Sequence, residues 1–380
     1  MYIYLIVFLI LLFGALLELF SKIHLKILYK LYFLILGGLL ICRYGQGTDF
    51  FNYQLIYDAL PPLSFFSPFT LIKELNSLPI HSEIGWKLLC TLAKTCSISF
   101  TQFVIGLSVV ELILLRRFIK LFCPYPLLAL FLLFPTCYLT YMFSAFRQGL
   151  VMLAFLAILF PWLLQRKMGR FLIGCLLLTT IHRMAWAFLA APLFLRIKYN
   201  KGFQWLIAGS FIIGIVLEIS GLINYVTANI ELLVEESAFS LIAVAERIFS
   251  YVVVVSLFYQ YKKRKPITPL LSDCIKLYAY GTLLYGLFCA QALWASRLSY
   301  PLKVLEIVLL CHFIQYPKLK IPFALYFIPL SILMYFKNIQ SYISQGNYSY
   351  FVNIFNFPYV SIFNSSKILW LRWIKFDWPT

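Results

Sequence analysis

The sequence predicts an all-α polytopic membrane protein of about 10–13 transmembrane or re-entrant helices. Three observations carry that prediction. Of its 380 residues, 62% are hydrophobic and only 12% are charged, against roughly 45–50% and about 25% in soluble domains. Apolar runs approaching or exceeding the ~20 residues of a bilayer span recur along the chain. The formal charge of +18 falls in the breaks between those runs. The basic residues therefore read as topology signals, and no nucleic-acid partner is expected. A water-soluble enzyme, a disordered chain and a disulfide-stapled module are excluded at this level.

Taken in order, residues 2–20 lack a basic leader and a small-residue cleavage site, and read as a first span. Further apolar runs cover about 26–42, 100–117, 124–143, 147–164, 171–195, 203–222, 247–261, 274–294, 299–315 and 321–337. The breaks alternate in character. One set holds Lys22/Lys26/Lys30, Arg116/Arg117/Lys120, Arg166/Lys167/Arg170, Arg196/Lys198/Lys201, Lys262/Lys263/Arg264/Lys265 and Lys318/Lys320, with no acid among them. The other set is longer and mixed in charge. It comprises Arg43 to Glu83, the turn at Arg147, the acidic 223–246 (Glu231, Glu235, Glu236), the turn at Arg297 and the tail from 338. The positive-inside rule makes the first set cytoplasmic and puts the N-terminus outside.

Two segments need more than a simple crossing. Basic clusters flank 171–195 on both sides, so one crossing there would invert everything downstream. Two thin passes with an apex near His182 keep the pattern. Each limb reaches roughly 16–20 Å, short of a ~30 Å core, which predicts a re-entrant or tilted hairpin. Only one crossing fits between Glu83 and Arg116, so 84–97 is expected to be interfacial or re-entrant. The expected organisation is one integral membrane domain, 1–380, with outer loops at 43–82 and 223–246 and an outer aromatic tail at 338–380.

Several chemistries have no sequence support. The nine cysteines are scattered without a C-x-x-C pair and read as buried thiols. Neither a G-x-x-x-x-G-K-[ST] nor a G-x-G-x-x-G motif occurs, so an ATPase and a Rossmann enzyme are unsupported. No Asp-x-Asp or clustered His/carboxylate set suggests a metal, and no cofactor is expected. No internal repeat is visible, which counts against transporters built from inverted repeats.

The outer breaks carry a polar constellation instead. Arg43, Asp49, Glu83, Arg147, His182 and Arg297 are expected at one membrane surface. Guanidinium groups bind phosphate bidentately and stay charged, so three arginines there suit a polyanion. Arg147 and Gln148 open a long apolar helix, whose free N–H groups favour an anion. A lipid-linked phosphate or diphosphate fits such an interface. Asp49, Glu83 and His182 are the available proton acceptors. Each residue also has a structural reading: snorkelling arginines, Asp49 capping a turn, Glu83 at a helix N-cap, and His182 hydrogen-bonded in a core. Glu111 and Glu306 read as packing or ion-pair residues. The segment 338–364 interleaves Tyr and Phe with Asn, Gln and Ser, a mixture that suits sugar contacts or an interfacial aromatic belt.

These residues resemble the EpsG family of Wzy-type bacterial polysaccharide polymerases. The matching pieces are Arg43/Gly47/Asp49 with Tyr53, Glu83-x-Gly85, Arg147-Gln148, His182, Arg297 with Tyr300, and Pro358-Tyr359-x-Ser361. The sequence departs from the pattern at Arg183, where a small or neutral residue is expected, and at Gly149. The resemblance implies a GT-C-like membrane glycosyltransferase architecture. It implies a polymerase joining undecaprenyl-diphosphate-linked oligosaccharide repeat units at the outer face of the plasma membrane, for O-antigen, capsule or exopolysaccharide. Arg43, Arg147 and Arg297 would hold the diphosphate. Asp49, Glu83 or His182 would take the acceptor proton, with a carboxylate favoured and His182 positioning or binding phosphate. Gln148, Tyr53, Tyr300 and Tyr359 would contact substrate. The implied partners are the lipid-linked oligosaccharide, membrane lipids, a flippase and a chain-length-determining copolymerase. A flippase or transporter of the same lipid, and a glycan ligase or lipid-phosphate-sugar glycosyltransferase, remain alternatives at this stage.

Overall fold

Capping residues and prolines decide where each apolar run becomes a helix. The computed structural model describes residues 2–21, 25–63, 73, 75–77, 82–221 and 239–372. In chain order these form α1 (Ile3–Phe20), α2 (Lys26–Ile41), α3 (Phe50–Ala59), α4 (Ile84–Thr95) and α5 (Phe100–Phe122). Next, α6 (Pro126–Leu133) continues as a π-helix over Phe134–Ser144. Then α7 (Phe146–Ala154) passes through a π segment, Phe155–Leu159, into α8 (Phe160–Leu164). There follow α9 (Met168–Ile181), α10 (Trp186–Leu189), α11 (Ala191–Arg196), α12 (Lys201–Ile219), α13 (Leu241–Lys262) and α14 (Pro269–Leu287). The last are α15 (Ala292–Lys303), α16 (Leu305–Phe313), α17 (Pro317–Gln345) and α18 (Lys367–Leu371). Among the described residues, β pairing consists of two isolated bridges, Arg43–Ser361 and Tyr348–Arg372.

Local chemistry explains the starts. Ser99 and Gln102 close a reciprocal capping box on α5. Asn200, Ser240 and Thr268 accept from backbone amides three residues on, opening α12, α13 and α14. Among the described residues, six stretches are long and apolar enough to cross a membrane: Ile3–Phe20, Pro126–Ser144, Phe146–Leu164, Lys201–Ile219, Leu241–Lys262 and Pro317–Gln345. The protein is thus an all-α, multi-pass membrane protein. Other expected spans are helical but shorter, such as α2 and α9, or carry several charges, as α5 does with Glu111, Arg116, Arg117 and Lys120. The helix breaks at His182, where the two limbs of 171–195 were expected to part.

Three expected boundaries shift. The loop 43–82 contains α3, because Phe50, Tyr53 and Tyr57 share one helix face and bury it against Trp86, Phe100 and Phe146. The loop 223–246 ends earlier than expected, because Ser240 caps a helix already running at Leu241; Glu231, Glu235 and Glu236 lie outside the described residues. The tail from 338 begins as helix, since Lys337, Asn338 and Gln340 are tolerated in α17, which stops only at Gly346 and the left-handed Asn347 (φ 51°).

The chain comprises two compact units. The first comprises Met1–Ala157, Leu177–Arg183 and Pro322–Thr380. In it α1 packs on α6, while α2 and α7 pack on α5. The second comprises Ile158–Leu176 and Met184–Ile321, with α14 packed against α12, α15 and α16. There Gly214 and Gly286 let α12 and α14 touch backbone to backbone: a Cβ at Gly214 would lie 2.1 Å from the Gly286 carbonyl oxygen.

Candidate functional site

The first unit brings together most of the residues singled out in the sequence. Glu83 sits at the N-cap of α4 and Arg147 in the first turn of α7. Arg147 Nη1 donates to Glu83 Oε2 at 2.6 Å, and both side chains are mostly buried. Glu83 Oε1 accepts the backbone amide of Arg183 at 2.9 Å. One carboxylate therefore ties together three segments far apart in sequence. The Arg147 guanidinium lies over the Tyr53 ring, 5.7 Å from its centroid, and its Nε is buried without a hydrogen-bond partner. Tyr53 stacks obliquely on Phe146 at 4.2 Å and meets Trp86 at 5.8 Å.

The departure at Arg183 now has a physical account. Its side chain is exposed, and the group that reaches Glu83 is the backbone N–H, which residues other than proline supply. His182 itself is buried at the end of α9. Gly85 explains the second half of the Glu83-x-Gly85 pair. A Cβ there would lie 2.7 Å from the Thr180 carbonyl oxygen, so only glycine lets α4 approach the end of α9 this closely. Gly149 is similar, because a Cβ would stand 2.6 Å from both Glu111 Oε1 and the Tyr141 carbonyl oxygen.

The Arg43–Asp49 stretch forms the other part of the site. It pairs with the distant Pro358-Tyr359-x-Ser361 motif. The Tyr44 amide donates to the Val360 carbonyl at 3.0 Å, and the Ile362 amide to the Cys42 carbonyl at 2.9 Å. Tyr359 hydroxyl donates to the Leu39 carbonyl at 3.0 Å, and Gln46 Nε2 to the Pro358 carbonyl. Gly47 has φ +87°, and a Cβ would lie 2.7 Å from Ser144, so the loop lies directly on the end of the π-helix. There the Thr48 amide donates to Ser144 Oγ at 2.8 Å, the two hydroxyls are 2.9 Å apart, and Thr48 Oγ1 donates to Asp49 Oδ1 at 2.8 Å. One consistent proton ordering has the Ser144 hydroxyl donating to Thr48 and Thr48 to Asp49. Asp49 remains half-buried at the start of α3.

Arg43 lies deep in the first unit. It is 1% exposed, Nη1 donates to the Leu40 carbonyl and Ser108 Oγ, and the guanidinium lies over Phe143 and Phe146. Its Nε and Nη2 are unpaired. Gln148 is likewise buried. Arg297 and Tyr300 belong to the second unit, on α15. That helix is anchored by Ser299, which accepts from the buried Arg247 at 2.9 Å, and by Lys303, 3.3 Å from Glu246. Residue-level reading missed Ser144 and Arg247. Arg247 had a signal, the adjacent acid and base Glu246-Arg247 in an otherwise apolar run.

Fold and site together define a multi-pass membrane protein whose paired acidic and basic side chains gather at helix ends. Within that class, the chain belongs to the EpsG family, whose model matches residues 26–361. The family is associated with polysaccharide biosynthesis and glycosyltransferase-like polymerase activity. No curated protein and no solved structure matches.

Proposed function

We propose that this chain joins oligosaccharide repeat units carried on undecaprenyl diphosphate, at the outer face of a bacterial plasma membrane, in the synthesis of O-antigen, capsule or exopolysaccharide. The observation that carries this reading is the convergence of Glu83, Arg147, Tyr53 and the Thr180–Arg183 turn in one cluster beside the Asp49 loop. In the reaction, an acceptor sugar hydroxyl forms a bond to the anomeric carbon of the donor. The anomeric carbon–oxygen bond to the diphosphate breaks, the lipid diphosphate leaves, and the hydroxyl proton passes to a carboxylate. Arg147 supports the leaving diphosphate, using the donors Glu83 does not occupy. Arg297, in the second unit, is proposed to bind phosphate. Asp49 suits the base better than Glu83, because both Glu83 oxygens already accept hydrogen bonds. His182 positions the turn that delivers the Arg183 amide.

Turnover of a defined lipid-linked repeat by purified protein tests the reading. Arg147→Ala is expected to lower polymerisation by about 10²–10³-fold, the usual cost of losing a donor to developing negative charge. Wild-type polymer lengths from a correctly inserted Arg147→Ala protein would sink the diphosphate role. In a deletion strain, single-repeat glycolipid without polymer supports the proposal, whereas loss of all surface repeats points to a flippase.

A further inference from the structure

Arg372 lies beyond residue 361, where the family match ends, yet it reaches the loop that carries Asp49. The side chain is 8% exposed. Its Nε donates to the Gly346 carbonyl at 2.6 Å, and Nη1 donates to the Gly45 and Gly47 carbonyls at 3.0 and 3.2 Å. The guanidinium lies over the Phe51 and Tyr348 rings at 5.1 and 5.3 Å. A planar fork with several fixed donors suits three carbonyls held between two aromatic faces, and lysine lacks that fork. The grip is reinforced one helical turn earlier. Ile368 packs so tightly on Gly45 that a Cβ there would meet its Cγ1 at 2.7 Å. The tail itself is pinned by the Ser349 amide donating to the Leu371 carbonyl at 2.8 Å.

Both carbonyls belong to left-handed glycines, Gly45 at φ +63° and Gly47 at +87°, a conformation glycine alone adopts without cost but does not hold by itself. Immediately after Gly47, Thr48 binds Ser144 and orients the Asp49 carboxylate. We propose that Arg372 is a positioning residue: it clamps the Gly45–Gly47 turn and thereby sets Asp49 for its part in glycan transfer. The catalytic half of this statement rests on the function proposed above; the clamp itself does not.

The test uses the full-length purified protein with Arg372→Ala, Arg372→Lys, Asp49→Asn, the Arg372→Ala/Asp49→Asn double variant, and Lys367→Ala as an exposed neighbouring control. Hydrogen exchange of the 45–49 amides reads the clamp without any substrate. Arg372→Ala is expected to raise exchange there by about tenfold or more, Arg372→Lys by less, and Lys367→Ala not at all. In the turnover assay, Arg372→Ala is expected to lower kcat by about 10–10²-fold with KM within about twofold, since a small misplacement of a reacting group has that cost. The double variant is expected to be no slower than Asp49→Asn alone. Unchanged exchange in Arg372→Ala overturns the clamp. Losses that multiply in the double variant overturn the link to Asp49. If Arg372→Ala does not insert, Arg372→Lys decides by the same two readouts. An inactive wild-type protein would count against the polymerase reading, while the exchange data would still judge the clamp.

Discussion

At the scale of single residues, Glu83 is the centre of the site because each of its oxygens has a different duty. One neutralises Arg147 and the other receives the Arg183 amide. A mostly buried carboxyl group is tolerated at little cost only when both oxygens are satisfied in this way. Removing either partner strands the other, so Glu83→Ala and Arg147→Ala are each expected to destabilise the protein by about 1–3 kcal/mol. The double variant should cost less than the sum, with a coupling of about 0.5–3 kcal/mol, because the pair is lost only once. Glu83→Gln should cost less than Glu83→Ala, since an amide oxygen still receives the Arg183 N–H. Thermal unfolding in detergent checks all four, and additive losses would show that the pair is not coupled. Sequence reasoning named Glu83 and Arg147 from their positions at helix starts, but it did not pair them. The two are 64 residues apart, and nothing in local propensity encodes a partner at that distance. Asp49 was legible as a residue; its dependence on Ser144 was not, because a serine ending an apolar run looks like any interfacial serine.

At the scale of elements, apolar periodicity identified most helices, and capping chemistry placed their ends. It failed where tertiary contact outweighs composition. The stretch 50–59 reads as loop because it is polar and aromatic, yet its i, i+3, i+7 aromatics give it a buried face. The π-helix Phe134–Ser144 has no sequence signature beyond Pro135. Its wide turn, closed by the Ala145 amide on the Thr140 carbonyl at 2.9 Å, delivers Ser144 and Arg147 to the site. The junction of α4 with the end of α9 is the element most exposed to a single methyl group. Gly85→Ala would force a Cβ to within 2.7 Å of the Thr180 carbonyl oxygen. The helix must shift, at about 1–3 kcal/mol, and Glu83 shifts with it. Gly85→Ala is therefore expected to lower both thermal stability and polymerisation, whereas Gly106→Ala, with open space around it, should lower neither. A Gly85→Ala protein with wild-type melting and activity would mean that α4 and α9 separate freely.

At the scale of the whole molecule, orientation decides whether the residues of the first unit face the outer compartment that the proposed reaction requires. The basic breaks argue that they do, and two cysteine positions turn that argument into a measurement. Cys96 ends α4 and is exposed, whereas Cys90, one and a half turns earlier, is buried and its thiol is pushed up to about 12 by that burial. Cys96 precedes α5 and the basic cluster Arg116/Arg117/Lys120 lies in its C-terminal third. From Phe100 to the cluster the helix rises roughly 24 Å, and arginine side chains that snorkel to the surface let it make one crossing of a ~30 Å core. If that cluster is cytoplasmic, Cys96 must be outside. A membrane-impermeant maleimide added to intact cells or spheroplasts at pH 7–8 is then expected to modify Cys96. It should leave Cys90 unmodified, as thiolate attack requires a charge that its burial suppresses. A cysteine introduced at Arg264, in the Lys262–Lys265 tetrad that follows α13, should react only after the membrane is opened. The two sites lie on separate units, so the pair reports both halves of the chain against one bilayer. Labelling of position 264 from outside, with Cys96 protected, would reverse the orientation, move the Glu83–Arg147 cluster to the cytoplasmic face and overturn the outer-face reaction proposed above.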